Sequence, residues 1–169
     1  MDEKVKELLL AQVNKEFFSA YLYLGMANYY IDQDLDGFGN WYNIQAQEER
    51  DHALLFIQYL QNNSVPVVLE AIERPDQQYD SPIDPLLKGL EHEKYVTGLI
   101  NPIYDAAYSV KDFRTMQFLD WFVKEQGEEE TTADSLIKKY RLYGNDPRSL
   151  YLLNQELAGR VYSAPTLTL

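Results

Sequence analysis

The sequence predicts an all-α protein, a four-helix bundle with one long crossover and a short fifth helix at the C-terminal end. Three observations carry that expectation. Four long stretches repeat at steps of three and four, the spacing that gathers side chains on one helix face. Between the second and third stretches, Pro66, Pro75, Pro82 and Pro85 break the period, and so long a connection reads as a crossover running the length of a bundle, not as a tight hairpin. Near the end, Asp146-Pro147 supplies a capping side chain followed by a proline at the first helical position, which opens one more short helix.

The first helix is expected from about Lys4 to Gln33, with a face running through Val5, Leu9, Gln12, Glu16, Ser19, Tyr23, Ala27 and Tyr30. The polar stretch Asp34 to Gly37 ends it. A second stripe follows through Phe38, Trp41, Gln45, Glu49, His52, Phe56 and Tyr59. The third helix should open near Pro82 with Ser81 as its N-cap, and its stripe runs Leu86, Leu90, Glu93, Thr97, Ile100, Tyr104 and Ala107. Pro102 lies inside it and predicts a kink. After a short turn at 109–112 the fourth stripe is Leu119, Phe122, Gln126, Glu129, Ala133, Leu136 and Tyr140, stopped by Gly144. The fifth helix carries Leu150, Leu153 and Leu157, which are expected to lie exposed and to pack against symmetry-related copies.

A chain of 169 residues fits one domain, with the bundle over about 4–143, the fifth helix over about 147–160 and a tail over 161–169. The absence of cysteine excludes disulfide scaffolds, zinc knuckles, rubredoxin-like iron sites and thiol catalysis. Met1-Asp2-Glu3-Lys4 lacks the basic start of a signal peptide, and no apolar run is long enough to span a bilayer. A cytoplasmic protein without membrane association is therefore expected. The formal charge of -12 argues against nucleic acid as a partner and favours cations.

Glu49-Arg50-Asp51-His52 is the chemical centre of the pattern. Residues three apart share a helix face, so Glu49 and His52 can offer one hard oxygen and one imidazole nitrogen to a single point. Alone, such a pair more often marks a solvated face. Here each long helix carries one carboxylate on its core-facing stripe: Glu16, Glu49, Glu93 and Glu129. Four clustered carboxylates cannot all be ionised without a counter-charge, and no Lys or Arg falls on the stripes. A pair of divalent metal ions supplies one, and oxygen ligands with one imidazole suit iron or manganese. Register agrees across the last hairpin. Across the first it does not, because Glu16 and Glu49 differ in distance from the loop by roughly 10 Å at 1.5 Å per residue, so the loop must climb along the bundle.

The chain also resembles the non-haem bacterial and archaeal ferritins over nearly its whole length. The stretches that carry the resemblance are Gln12-Val13-Asn14-Lys15-Glu16, Tyr21-Leu22-Tyr23-Leu24, Gln45-Ala46-Gln47-Glu48-Glu49, His52-Ala53, Glu91-His92-Glu93 and Trp121-Phe122-Val123-Lys124-Glu125-Gln126. The resemblance implies a ferritin-like bundle and a ferroxidase, an enzyme that oxidises Fe(II) with dioxygen or hydrogen peroxide and stores Fe(III) as a mineral. It implies a di-iron centre in which Glu16, Glu49 and His52 bind the first iron while Glu49 bridges to a second held by Glu93 and Glu129. Gln126 would sit beside the pair and Tyr23 would donate a hydrogen bond near the metals. A third iron site would use Glu48, Glu125, Glu128 and Glu129, with no haem, in a homo-oligomeric shell of 24 subunits. Helical spacing puts Glu125, Glu128 and Glu129 on one face, although an ordinary acidic surface would look the same. Trp121 reads as an aromatic near the site whose role is packing, and His92 as structural or exposed.

Gly127 and Pro102 depart from the family pattern, and Pro102, roughly 13 Å beyond Glu93, is expected to spare the ligands. Gly127 replaces a helix former at a cost of about 1 kcal/mol relative to alanine and is expected to loosen the third site. The second Glu-x-x-His of symmetric di-iron bundles is here Glu129-x-x-Thr132, so the second metal lacks a nitrogen ligand. That suits a protein that passes iron onward, and disfavours haem-containing bacterioferritins and di-iron oxidases or peroxidases of the rubrerythrin type. DNA-binding mini-ferritins are the rival of another class, but they lack a fifth helix and build their sites between subunits.

Overall fold

The computed structural model describes residues 1–169 and contains five helices and no strand. They are α1 (Glu3–Asp32), α2 (Asp36–Asn62), α3 (Asp84–Ser109), α4 (Phe113–Tyr143) and α5 (Pro147–Ala158). Short turns fold α1 back on α2 and α3 back on α4, α1 also packs on α3, and α5 lies against α2 and α4.

Local chemistry sets the helix boundaries. Asp2, Asp112 and Asp146 cap α1, α4 and α5 by accepting from backbone amides of the first turn, which satisfies donors that have no partner inside a helix. The first three helices end alike. Asp34, Ser64 and Lys111 take the left-handed conformation with φ of 57°, 58° and 58°, and the next amide in each case reaches back to the carbonyl of Tyr30, Leu60 or Ala107 at 2.8–2.9 Å. Ser81 does not cap α3. The carbonyl of Pro82 is engaged by the Tyr30 hydroxyl at 2.6 Å. The helix starts at Asp84, whose carboxylate accepts from the amides of Asp80 and Ser81 at 2.9 and 2.8 Å. Pro85 takes the opening position expected of Pro82. Helix α3 runs unbroken through Pro102 and α4 unbroken through Gly127.

The crossover climbs along α1. Val68 and Leu69 lie beside Leu10 and Phe17, Gln77 packs over Gly25, and Tyr79 meets Tyr29 with ring centroids 5.0 Å apart. Helix α3 therefore begins at the end of the bundle where α1 finishes.

Helix α5 corrects one expectation. Leu153 and Leu157 are buried and Leu150 is partly buried against Phe38, Trp41, Leu136 and their neighbours, so these leucines close the chain's own core. Asn154 is the reason α5 fits so closely. Its Oδ1 accepts from the amides of Gly37 and Phe38 at 2.9 and 3.2 Å, capping the start of α2, which has no side-chain cap of its own. A Cβ on Gly37 would fall 1.7 Å from the Asn154 carbonyl oxygen, so the approach requires glycine. The outward face of α5 is Tyr151 and Leu152, each 62 % exposed.

Two apolar clusters fill the bundle. One contains Val5, Leu9, Phe56, Leu60, Ile100, Phe118 and Phe122; the other contains Tyr30, Phe38, Tyr42, Leu86, Leu136 and Leu157. Between them lies a buried polar layer.

Candidate metal centre

The polar layer contains Gln12, Glu16, Gln45, Glu49, His52, Glu93, Gln126 and Glu129, all buried. Each of the four long helices contributes one carboxylate to it. The turn between α1 and α2 needs no further climb to bring this about. Glu16 lies sixteen residues before Asp32 and Glu49 thirteen after Asp36, so the offset is roughly 4–5 Å at 1.5 Å per residue. The larger offset expected from sequence came from starting α2 too late.

Glu16, Glu49 and His52 converge, with ligand atoms all within 4.8 Å of one another. His52 Nδ1 lies 3.4 Å from Glu49 Oε2. Gln12 Nε2 donates to Glu16 Oε1 at 2.8 Å, while Glu16 Oε2 is the one buried side-chain polar atom with no hydrogen-bond partner. An unpartnered buried carboxylate oxygen is unfavourable by roughly 1–3 kcal/mol or more, and a cation between Glu16, Glu49 and His52 would satisfy it. The donor set, two hard oxygens and an imidazole, fits iron or manganese.

Glu93 and Glu129 stand on the opposite helices. The Tyr23 hydroxyl donates to Glu93 Oε1, and Gln126 Nε2 donates to Glu93 Oε2 and to the Glu93 carbonyl at 3.2 Å each. Gln45 Nε2 donates to Glu129 Oε2 at 2.8 Å and to Glu49 Oε1 at 3.3 Å. The glutamine amides thus hold the carboxylates while leaving lone pairs free. Sequence reasoning placed Gln12 and Gln45 on the core stripes without giving them this task. The usable signal is their spacing, each one helical turn before a carboxylate, at Gln12/Glu16 and Gln45/Glu49.

No Lys or Arg pairs with the four carboxylates, and His52 is the one basic group in ion-pair range of any of them. Burial, then repulsion from Glu49, pushes Glu16 and Glu93 up to about 8. Burial and the charge of Glu93 push Glu129 up to about 8, and burial and Glu129 raise Glu49 as well. The Tyr23 hydroxyl is raised by burial and by Glu93, so it stays a donor. A metal-free layer holds protons where a metal-loaded one would hold cations.

The residues expected to form a third position behave differently. Glu125 is half-buried, Glu128 points to solvent and pairs with Lys124 at 3.2 Å, and Glu48 Oε2 accepts from Arg160 Nη2 at 2.6 Å. These three do not converge with Glu129 as Glu16, Glu49 and His52 converge. Gly127 is not the cause, since α4 passes through it and a Cβ there would meet open space. Trp121 packs its ring edge-on to His52 at 5.4 Å. His92 is buried and structural, bonded to Ser19 Oγ at 2.7 Å, with burial pushing its imidazole down to about 4.

A four-helix bundle with a carboxylate from every long helix and one imidazole in a buried layer defines a ferritin-like metal-binding protein. Residues 6–143 match the Ferritin-like domain family, and the chain belongs to it. It is 37 % identical over 155 residues to the bacterial non-heme ferritin of Campylobacter jejuni, covering 92 % of this chain and 93 % of that one. It is 36 % identical over 161 residues to the bacterial non-heme ferritin of Staphylococcus epidermidis, covering 94 % and 97 %. Among solved structures, an open pore ferritin from the hyperthermophilic archaeon Archaeoglobus fulgidus superposes with a TM-score of 0.93 at 42 % identity, covering 95 % of this chain and 98 % of that one. An engineered closed form of that ferritin gives a TM-score of 0.94 at 40 % identity, covering 96 % and 99 %.

Proposed function

We propose that this protein is an iron-storage ferroxidase that binds two Fe(II) ions in the polar layer, passes their electrons to dioxygen or hydrogen peroxide, and stores the Fe(III) as a mineral inside a homo-oligomeric shell. The observation that carries the reading is the orphaned Glu16 Oε2 beside Glu49 and His52. Iron is the substrate. Glu16 and His52 hold one ion, Glu93 and Glu129 the other, and Glu49 bridges them. The chain's part is to set the ions side by side in a site of low polarity and to neutralise their charge. As iron enters, the carboxylates give up the protons that burial had kept on them. Tyr23 and Gln126 hold Glu93 by its two oxygens, and Gln45 spans Glu49 and Glu129. With no nitrogen ligand the second ion is held less firmly, which suits onward transfer.

Glu48, Glu125 and Glu128 would then form, with Glu129, a third position on the path of oxidised iron, reached once Glu48 exchanges Arg160 for metal. The relatives named as non-heme ferritins and the archaeal ferritins, described as an open pore form and an engineered closed form, support a hollow assembly, proposed here as 24 subunits, in the cytoplasm. No helix is long and apolar enough to cross a membrane. Stopped-flow oxidation tests the assignment. Glu49→Ala should abolish the fast phase, because a bridging carboxylate serves both ions, and His52→Ala should slow it strongly. Wild-type kinetics in Glu49→Ala would overturn it.

A further inference from the structure

One side chain outside the carboxylate set makes four contacts beside it. After α5 the chain turns back along α2 as a strap, and Asn40 Nδ2 fixes its start by donating to the carbonyls of Leu157 and Arg160 at 3.3 and 3.2 Å. Arg160 Nη1 donates to the Trp41 carbonyl and to Gln45 Oε1, both at 3.0 Å. Nη2 donates to Glu48 Oε2 at 2.6 Å, and the guanidinium lies 4.3 Å from the centre of the Trp41 ring. Two residues on, the Tyr162 hydroxyl donates to Asp51 and ties the strap down again.

An arginine side chain has only donors. The Gln45 atom that faces it must be the amide oxygen, and this directs the amide NH2 to the opposite side, onto Glu129 Oε2 and Glu49 Oε1. A flipped amide would set its oxygen against two carboxylates and its NH2 against a guanidinium, losing all three bonds. Nothing in glutamine itself chooses between these orientations; the two carboxylates and the strap select the same one, and only Arg160 fixes the amide from its oxygen side. The planar fork of arginine can serve the Trp41 carbonyl, Gln45 and Glu48 together.

We infer that Arg160 is a positioning residue for the metal pair, acting through the Gln45 amide to hold Glu49 and Glu129 where two ions can share them. The inference rests on reading these carboxylates as a metal site. Arg160 makes no contact with Glu16 or His52, which Gln12 and Trp121 support instead. Its loss should therefore be lopsided, because Gln45 holds Glu129 at 2.8 Å and the shared Glu49 only at 3.3 Å: the ion that uses Glu129 should weaken more than the one on Glu16 and His52. Removing a hydrogen-bond partner of a ligand, which here is Gln45, lowers metal affinity by about 10- to 100-fold, and that is the ceiling for Arg160, one bond further out.

Anaerobic Co(II) titration of the full-length protein, read by calorimetry and by the visible absorption of bound Co(II), tests this without iron oxidation. Arg160→Gln should keep the first ion, weaken the second by up to about 10-fold, less than Gln45→Leu does, and change the Co(II) spectrum. In a Gln45→Leu background, Arg160→Gln should produce no further loss, because the path it acts through is already cut. If Arg160→Gln fails to fold or assemble, Arg160→Lys keeps the cation beside Glu48 but loses the planar fork that reaches Gln45, and should weaken the second ion in the same sense. Wild-type affinities in Arg160→Gln, equal weakening of both ions, or equal losses with and without Gln45 would each overturn the positioning role. Failure of the unaltered protein to bind a pair of Co(II) ions would instead overturn the metal site itself.

Discussion

Glu16, Glu49, Glu93 and Glu129 are carboxylates whose ordinary value of 4.5 is raised by burial, three of them to about 8. Folding therefore takes up protons between those limits. The stabilisation is full below the unfolded value and is lost as pH rises through the folded one. The metal-free protein should accordingly lose thermal stability steadily between about pH 5 and pH 8. Saturating Zn(II) should flatten that decline, because a bound cation replaces the protons and the ligands release them. Melting curves across that range with and without Zn(II) check this; a metal-free protein that grew more stable toward pH 8 would contradict it. Glu49→Gln, which cannot ionise, should raise the melting temperature of the metal-free protein at pH 8 and change it little at pH 5. The carboxylates were legible in the sequence because an acidic residue on a core-facing stripe is conspicuous. The hydrogen-bond partners were not, because the sequence does not say which acceptor a glutamine or arginine will meet. Arg160 sits more than a hundred residues from Gln45, at the last position expected of the fifth helix and, in the structure, just past the end of α5 at Ala158.

Helix α5 depends on one glycine. Gly37→Ala would drive a Cβ into the Asn154 backbone, displace α5, uncap α2 and loosen Leu153 and Leu157 from the core. A loss of about 1–3 kcal/mol is expected from overpacking and the lost cap together, measurable by urea unfolding. Gly127 is the opposite case. A methyl group there meets open space on a continuous helix, so Gly127→Ala should stabilise the protein by about 0.5–1 kcal/mol and leave Fe(II) oxidation unchanged. A stability loss in Gly127→Ala would mean that α4 bends there. Helix number, order and approximate limits followed from the three-to-four periodicity. The burial of α5 did not, because an amphipathic segment looks the same whether its apolar face meets its own chain or another. The close approach that decides the matter is made by Gly37, far away in sequence.

At the scale of the molecule, a polar layer divides the apolar core into two clusters, and its four helices bring four carboxyl groups together with no Lys or Arg among them. The bundle tolerates this through protons when empty and through metal when loaded, so its construction and its chemistry share one cause. Tyr151 and Leu152 on α5, and separately Val68 and Leu69 on the crossover, are all more than 60 % exposed and are the apolar candidates for the proposed assembly contacts. Tyr151→Lys with Leu152→Glu should lower the assembled fraction in sedimentation velocity without lowering affinity for the metal pair; unchanged sedimentation would remove α5 from the contact. A layer built in this way should bind iron as a pair. Anaerobic Fe(II) titration by calorimetry addresses it most directly. A break at two Fe(II) per chain with release of protons is expected, and no break in Glu49→Ala. Weak, non-saturating binding that is the same in the unaltered protein and in Glu49→Ala would contradict it.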